Sequence, residues 1–231
     1  MKKYIILLIV PLFSFGQTLD AYFEKGINYY NNGKYQLAID NFTKAININD
    51  TDYSPLYYNR AMAYYELGKY ERAIDGFTTA IKINPSDFES YCMRGLIYAQ
   101  KGETERALHN LNTSIIINPE YGKAYTNRGN TYSLLEMYEE AIADYTTAIR
   151  INPNDYMTYY NRGNDYTKLG EYKNAINDYS TAISINYNPH IFKNRGIAKK
   201  LGGLPYCSDF KKACDLGLEE CCGGWFNEQC K

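Results

Sequence analysis

The chain has 231 residues, 45% hydrophobic and 22% charged, which is enough apolar surface for a core and too little excess charge for a disordered tail. Its 25 Lys and Arg stand against 26 Asp and Glu, a net charge of −1, so no basic surplus exists to neutralise a phosphate backbone and nucleic acid is not an expected partner. Tyrosine is over-used, at 26 residues against 9 Phe and 1 Trp, and such a ring can bury its face while keeping a hydroxyl for water or a ligand.

Residues 1–16 read as a secretory signal peptide. Lys2 and Lys3 form a basic start, Tyr4 to Phe13 an apolar stretch broken by Pro11, and Ser14 and Gly16 the small residues before a cleavage between Gly16 and Gln17. The alternative is a short N-terminal anchor, but the apolar run is well short of the ~20 residues that span a bilayer. No stable transmembrane segment is therefore expected after processing. Removing Lys2 and Lys3 leaves 23 basic and 26 acidic residues. The expected location is exported: periplasmic, outer-membrane-associated or secreted. An oxidising compartment of that kind favours disulfides.

Downstream the chain repeats itself about every 34 residues. A small residue recurs at Gly26, Ala61, Gly95, Gly129, Gly163 and Gly196, followed three positions later by Tyr29, Tyr64, Tyr98, Tyr132 and Tyr166. Twelve positions after the small residue stand Ala38, Ala73, Ala107, Ala141 and Ala175. Then come the pairs Phe42/Ala45, Phe77/Ala80, Leu111/Ser114, Tyr145/Ala148 and Tyr179/Ala182. Spacings of 3, 4 and 7 place these residues on one face of a helix. Gly33, Gly68, Gly102 and Gly170 fall where a first helix must stop in a left-handed cap, and Pro85, Pro119 and Pro153 close a second. Each unit is thus a helical hairpin that cannot bury its apolar face alone, so the units must stack.

This pattern, in segments such as Tyr57 to Pro85 (YYNRAMAYYELGKYERAIDGFTTAIKINP), resembles the tetratricopeptide repeat. The resemblance implies an all-α fold, a right-handed superhelical solenoid of antiparallel helix pairs. Five repeats are expected over 17–188 (19–53, 54–87, 88–121, 122–155 and 156–188), with a modified sixth repeat and cysteine-rich cap over 189–231. Departures are local: Glu136 replaces the turn glycine in repeat four, Thr104 an aromatic in repeat three, and an extra residue lies within 49–54.

No catalytic or metal-binding pattern is evident. His109 and His190 have no second His or Cys at ligand spacing, and no phosphate loop, Ser-centred elbow or HExxH occurs. Carboxylates such as Glu71, Glu105, Glu139 and Glu140 fall on exposed helix positions. The chain is read as a non-enzyme without cofactor or metal. One motif, KKACDLG at Lys211 to Gly217, is similar to the helix ends of Sel1-like repeats, although no nucleophile and base accompany it.

The resemblance also implies that the first helices line a concave groove holding a protein or extended peptide. One groove column reads Glu24, Asn59, Met93, Asn127, Asn161 and Asn194, and another adds Asn130 and Asn164. Such amides offer a donor and an acceptor to successive peptide groups, similar to the asparagine ladder of the O-linked N-acetylglucosamine transferases. The alternative is a solvated or consensus Asn. The position before the first column reads Phe23, Tyr58, Cys92, Thr126, Tyr160 and Lys193, and in repeats two to five it lacks the basic residues of the family's carboxylate clamps. Tyr30, Tyr58, Tyr65 and Tyr160 instead suggest an aromatic wall, suited to a peptide or to stacked sugar rings, so a carbohydrate- or cell-wall-binding module is the second reading. A basic column, Lys25, Arg60, Arg94, Arg128, Arg162 and Arg195, is expected to pair with Asp40, Asp75, Asp144 and Asp178 rather than with a ligand.

Five of the six cysteines follow residue 206. Pro205 suits the first turn of one helix and Gly217 its end, with a second short helix over about 218–222. A hairpin centred near 217–218 sets Cys207 opposite Cys230 and Cys214 opposite Cys222, so these two disulfides are expected. Cys214 with Cys221 is the nearest alternative. Cys92 is expected to remain a thiol, as is Cys221 in the first pairing.

Overall fold

The computed structural model describes residues 14–48 and 53–222, with side chains from residue 19 onward. Residues 1–13 of the expected signal peptide, residues 49–52 of the segment 49–54 that holds the extra residue, and Cys230 lie outside the described residues. The helical periodicity becomes α1 (Ser14–Asn31), α2 (Tyr35–Ile48), α3 (Ser54–Glu66), α4 (Tyr70–Ile83), α5 (Phe88–Gln100) and α6 (Thr104–Ile117). It continues through α7 (Gly122–Leu134), α8 (Tyr138–Ile151), α9 (Tyr156–Lys168), α10 (Tyr172–Ile185), α11 (Pro189–Leu201) and α12 (Cys207–Asp215). No helix among the described residues is long and apolar enough to cross a membrane. Two compact units are present, 1–97 and 98–231, and their boundary falls inside α5.

Each first helix ends because a residue enters the left-handed region and turns the chain back. Gly68 does so at φ 67°, while its successor Lys69 donates its backbone N–H to the Tyr64 carbonyl, 2.9 Å away. Glu136 takes the same geometry at φ 60° without being glycine. The replacement in repeat four therefore leaves the turn unchanged and strains its backbone.

Within a hairpin the spacing is set where the small residue meets the second helix. A β-carbon on Gly129 would stand 2.7 Å from Cε1 of Tyr145, and one on Gly163 would stand 2.8 Å from Cε1 of Tyr179. The rings lie directly over the glycines. In the first hairpin Phe42 covers Gly26 in the same way. In the second, Ala61 carries the methyl, and the facing position is instead Gly76, whose added β-carbon would meet the Ala61 methyl at 2.7 Å. Either helix can carry the small residue, but one of them must.

In the unit 98–231, the basic column joins three helices. Arg128 donates from Nε and Nη2 to both oxygens of Asp144 at 2.7 and 2.6 Å, and from Nη1 to Oδ1 of Asn112 in the hairpin before. Arg162 repeats this with Asp178 and Thr146. Arg195 does so with Asp209 and Ser180. Each guanidinium also sits within 5.4–5.8 Å of the ring three residues earlier: Tyr125, Tyr159 or Phe192. Part of the tyrosine excess is thereby explained.

Asp40 and Asp75 do not join this column. In the regular repeats of Arg128 and Arg162 the facing position lies 16 residues after the arginine, whereas these two lie 15 after the basic residue, and one residue is about 100° around a helix. Both are exposed; Asp40 accepts from Gln36. Gly76 occupies the facing position in that hairpin, so among the described residues Arg60 donates to the neutral hydroxyl of Thr43, at 3.3 Å, rather than to a carboxylate.

The sixth hairpin departs from expectation in detail. Pro205 lies outside α12, which begins at Cys207, and the expected second helix is a single 3-10 turn, Glu219–Cys221. Phe192, Phe210, Ala213 and Cys221 form a small core beneath it. Cys214 and Cys222 are bonded to each other. Cys207 is disulfide-bonded, and its expected partner Cys230 lies outside the described residues. Cys92 and Cys221 are buried thiols.

Removing Arg162 would strand Asp178, which is only 8% exposed at its side chain. Arg162→Ala is expected to cost about 3 kcal/mol, against less than about 1 kcal/mol for Arg60→Ala, which has one neutral acceptor. Urea unfolding of the two variants tests this, and equal losses would refute the ion-pair role.

Candidate functional site

Within the unit 98–231, the first helices α7, α9 and α11 stand side by side and enclose an open groove. It consists of two hollows, of about 790 and 370 Å³, which share Ser133, Leu134, Asn164 and Asp165. Leu134, Ile197 and Leu201 form an apolar rim, 67%, 36% and 55% exposed. The floor is polar, built from Asn130, Asn161, Asn164, Asn194 and Asp165.

This floor follows from the helix crossing. Asn130 and Asn164 come directly after the crossing glycines, so the ring lying over each glycine brings its hydroxyl to the neighbouring amide. Tyr145 donates to Asn130 Oδ1 and Tyr179 to Asn164 Oδ1, both at 2.8 Å. Burial, joined by the charge of Asp165, pushes the Tyr145 hydroxyl well above the ordinary range, and burial does the same to Tyr179. Both remain neutral donors.

The asparagines are a linked set rather than a free ladder. Asn161 Nδ2 donates to Asn130 Oδ1, and Asn194 Nδ2 to Asn164 Oδ1 and to the Tyr160 hydroxyl, each at 2.9 Å. Two donors fill each of those Oδ1 atoms. What the set can still offer a ligand is Nδ2 of Asn130 and Asn164 and Oδ1 of Asn161 and Asn194. Asn127 is half-buried on α7, and its carbonyl accepts from Thr131. Asn59 belongs to the other unit, where its amide donates to the Pro55 carbonyl of its own helix.

The expected aromatic wall is likewise packed. Tyr58 meets Phe77 edge-on at 5.6 Å, Tyr160 leans on Tyr179 at 6.0 Å, Tyr65 on Tyr70 at 5.8 Å, and Tyr30 meets Tyr35 at 5.4 Å. The Tyr30 hydroxyl also donates to Glu66, 3.3 Å away; burial and that carboxylate push it up to about 12. All four rings are half-buried. Only Tyr160 touches the groove floor described above.

Asp165 is the residue that pattern reading missed. It is 2% exposed; Ser133 donates to its Oδ1 at 2.8 Å, while Oδ2 is buried without a hydrogen-bond partner among the described residues. Burial pushes its carboxyl from 3.8 up to about 6, with Ser133 and Lys168 only partly opposing. A signal existed in the repeats themselves. The same column reads Asn28, Ala63, Ile97, Thr131, Asp165 and Ala198, so one carboxylate stands among uncharged groups.

Models of the tetratricopeptide repeat match residues 19–52, 41–75, 88–121, 122–155 and 156–186, and a TPR repeat model matches 61–102. The chain belongs to the tetratricopeptide repeat family. Among solved structures it is similar to the MamA protein, 22% identical over 74% of this chain and 93% of that one, with a TM-score of 0.62. It is also similar to pilF of Pseudomonas aeruginosa, 18% identical over 89% and 91% of the two chains, with a TM-score of 0.75. YrrB, a TPR protein with an unusual peptide-binding site, is 18% identical over 77% and 95%, with a TM-score of 0.59. These likenesses establish the fold. No curated protein matches the chain. Members of this repeat family are generally protein-binding, non-catalytic scaffolds.

Because the folded protein holds the Asp165 proton more tightly than the unfolded chain does, stability falls as pH rises from about 4 to about 6. Asp165→Asn removes that dependence. The variant is expected to gain on the order of 2 kcal/mol relative to wild type between about pH 4 and about pH 7.5, measured by urea unfolding at each pH. An unchanged difference would show that Asp165 ionises normally.

Proposed function

We propose that this protein is a non-catalytic scaffold that holds an extended segment of another polypeptide in the groove of its 98–231 unit, and that it works in the bacterial envelope or outside the cell. The observation carrying the binding reading is the pairing of an exposed apolar rim, Leu134, Ile197 and Leu201, with a floor of amides that keep donors and acceptors for a peptide backbone. A soluble helix seldom exposes large side chains together unless something covers them. The peptide-binding site of the similarly folded YrrB supports the same use of this architecture. The packed state of Tyr58, Tyr65, Tyr160 and Tyr30 speaks against their use as open platforms for sugar rings.

Export is supported by the basic and apolar start of the sequence and by the cysteines, since Cys214–Cys222 and the bonded Cys207 suit an oxidising compartment.

Photoreactive p-benzoylphenylalanine placed at Leu134 or Leu201 in the native cell is expected to give polypeptide adducts, whereas the same group at Ile116, 79% exposed on α6, is not. Adducts equal at all three positions, or absent from the first two, would refute groove binding. For export, the protein recovered from the envelope fraction or medium is expected to begin at Gln17 by intact mass. A chain found only in the cytoplasm with Met1 or Lys2 at its start would refute it.

A further inference from the structure

The unpartnered oxygen of Asp165 has a chemical complement. We infer that the groove recognises a basic side chain, with the ammonium or guanidinium of a Lys or Arg in the bound polypeptide seated against Asp165. This rests on the peptide-scaffold reading and specifies the chemistry of its ligand.

A carboxylate removed from water is costly unless a cation or several donors answer it. Asp165 receives one hydroxyl, from Ser133, and lines both hollows of the groove. The charged and titratable groups around it do not supply the missing partner. Lys168, one turn further along α9, is exposed; its charge acts on Asp165 from a distance and leaves Oδ2 without a hydrogen-bond partner among the described residues. Tyr145 from α8 and Tyr179 from α10 spend their protons on Asn130 and Asn164. Glu136, in the turn after α7, adds a second negative charge to the lining. The groove is thus short of a cation at one defined point.

The walls select among cations. Leu134, Ile197 and Leu201 stand at the rim, while Asp165 lies in the floor beside the Oδ1-bearing amide of Asn194. Lys and Arg carry an apolar stem of three or four methylenes ending in a charged head, so the stem matches the rim and the head matches the floor. A divalent metal would need more carboxylate or imidazole ligands than the groove provides, and no cluster of three such residues occurs among the described residues. An acidic or phosphorylated segment would be repelled by Asp165 and Glu136.

Within the repeats the device is specific to one position. Thr131, the equivalent residue one repeat earlier, is fully buried and satisfies itself by donating to the Asn127 carbonyl. Repeat four therefore shows that the fold has no need of a carboxylate in this column.

The test is a selection of random dodecapeptides on the full mature chain and, in parallel, on Asp165→Thr and Asp165→Asn, each checked for a cooperative melt. Wild type is expected to enrich peptides with Lys or Arg at one fixed position. Both variants should lose that preference while keeping the neighbouring positions. For a selected peptide, replacing the basic residue by norleucine should weaken binding to wild type about tenfold, the worth of one charge-assisted contact, and leave binding to the variants nearly unchanged. The wild-type preference should also fade below about pH 6, where Asp165 takes up a proton. Enriched peptides without a basic residue, or a basic preference that survives in the variants, would overturn the inference and leave the peptide scaffold standing. Failure to enrich any peptide would overturn both.

Discussion

The close crossing of the two helices in each hairpin is the constraint on which the rest of this molecule depends. An aromatic ring lies over a residue with no side chain, as Tyr145 over Gly129 and Tyr179 over Gly163, or a methyl meets a facing glycine, as Ala61 meets Gly76. A β-carbon on the wrong helix would force several tenths of an ångström of separation, and close-packed interiors have no slack to absorb it. Once that contact fixes the offset between helices, the residue before the glycine and the residue after it acquire fixed partners. Arg128 and Arg162 then reach a carboxylate on the second helix, while Asn130 and Asn164 receive a tyrosine hydroxyl.

The arginines extend this order from one hairpin to the next. Each bonds to its own second helix and to the second helix before it, so stacking is set by directional bonds as well as by apolar area. A repeat array gains stability from such nearest-neighbour contacts. Where the column meets Gly76 the carboxylate is absent, and the bond set thins to a single neutral acceptor on Thr43. One substitution that satisfies the helix crossing therefore weakens the staple in the same hairpin.

The groove inherits both effects. Its amides are held in place because their carbonyls are already occupied by Tyr145, Tyr179 and the amides of the following repeat. A preorganised polar floor loses little freedom when a ligand arrives. Asp165 differs from the floor around it because its environment satisfies one oxygen and withholds a partner from the other. Natural proteins keep such frustrated groups where they serve a purpose beyond folding.

The sequence by itself determined the all-α repeat architecture, the helix faces and the position of the turns, because each rests on local spacing along one or two adjacent helices; it favoured Cys214 with Cys222 but left Cys221 as an alternative, and the structure decides for Cys222. The sequence spacing also set Asn130, Asn161, Asn164 and Asn194 on one surface, and they line the hollows of the 98–231 unit. What it did not decide was how side chains divide their bonds between the protein and a ligand. Asp40 and Asp75 look equivalent to Asp144 and Asp178 until the one-residue offset turns them to solvent. The four tyrosines look like a wall until their rings are seen against Phe77, Tyr35, Tyr70 and Tyr179. Only the tertiary structure could show that Asp165 is buried with an open oxygen, since its partners come from different hairpins, and spacing along the chain carries no information about distances that packing sets.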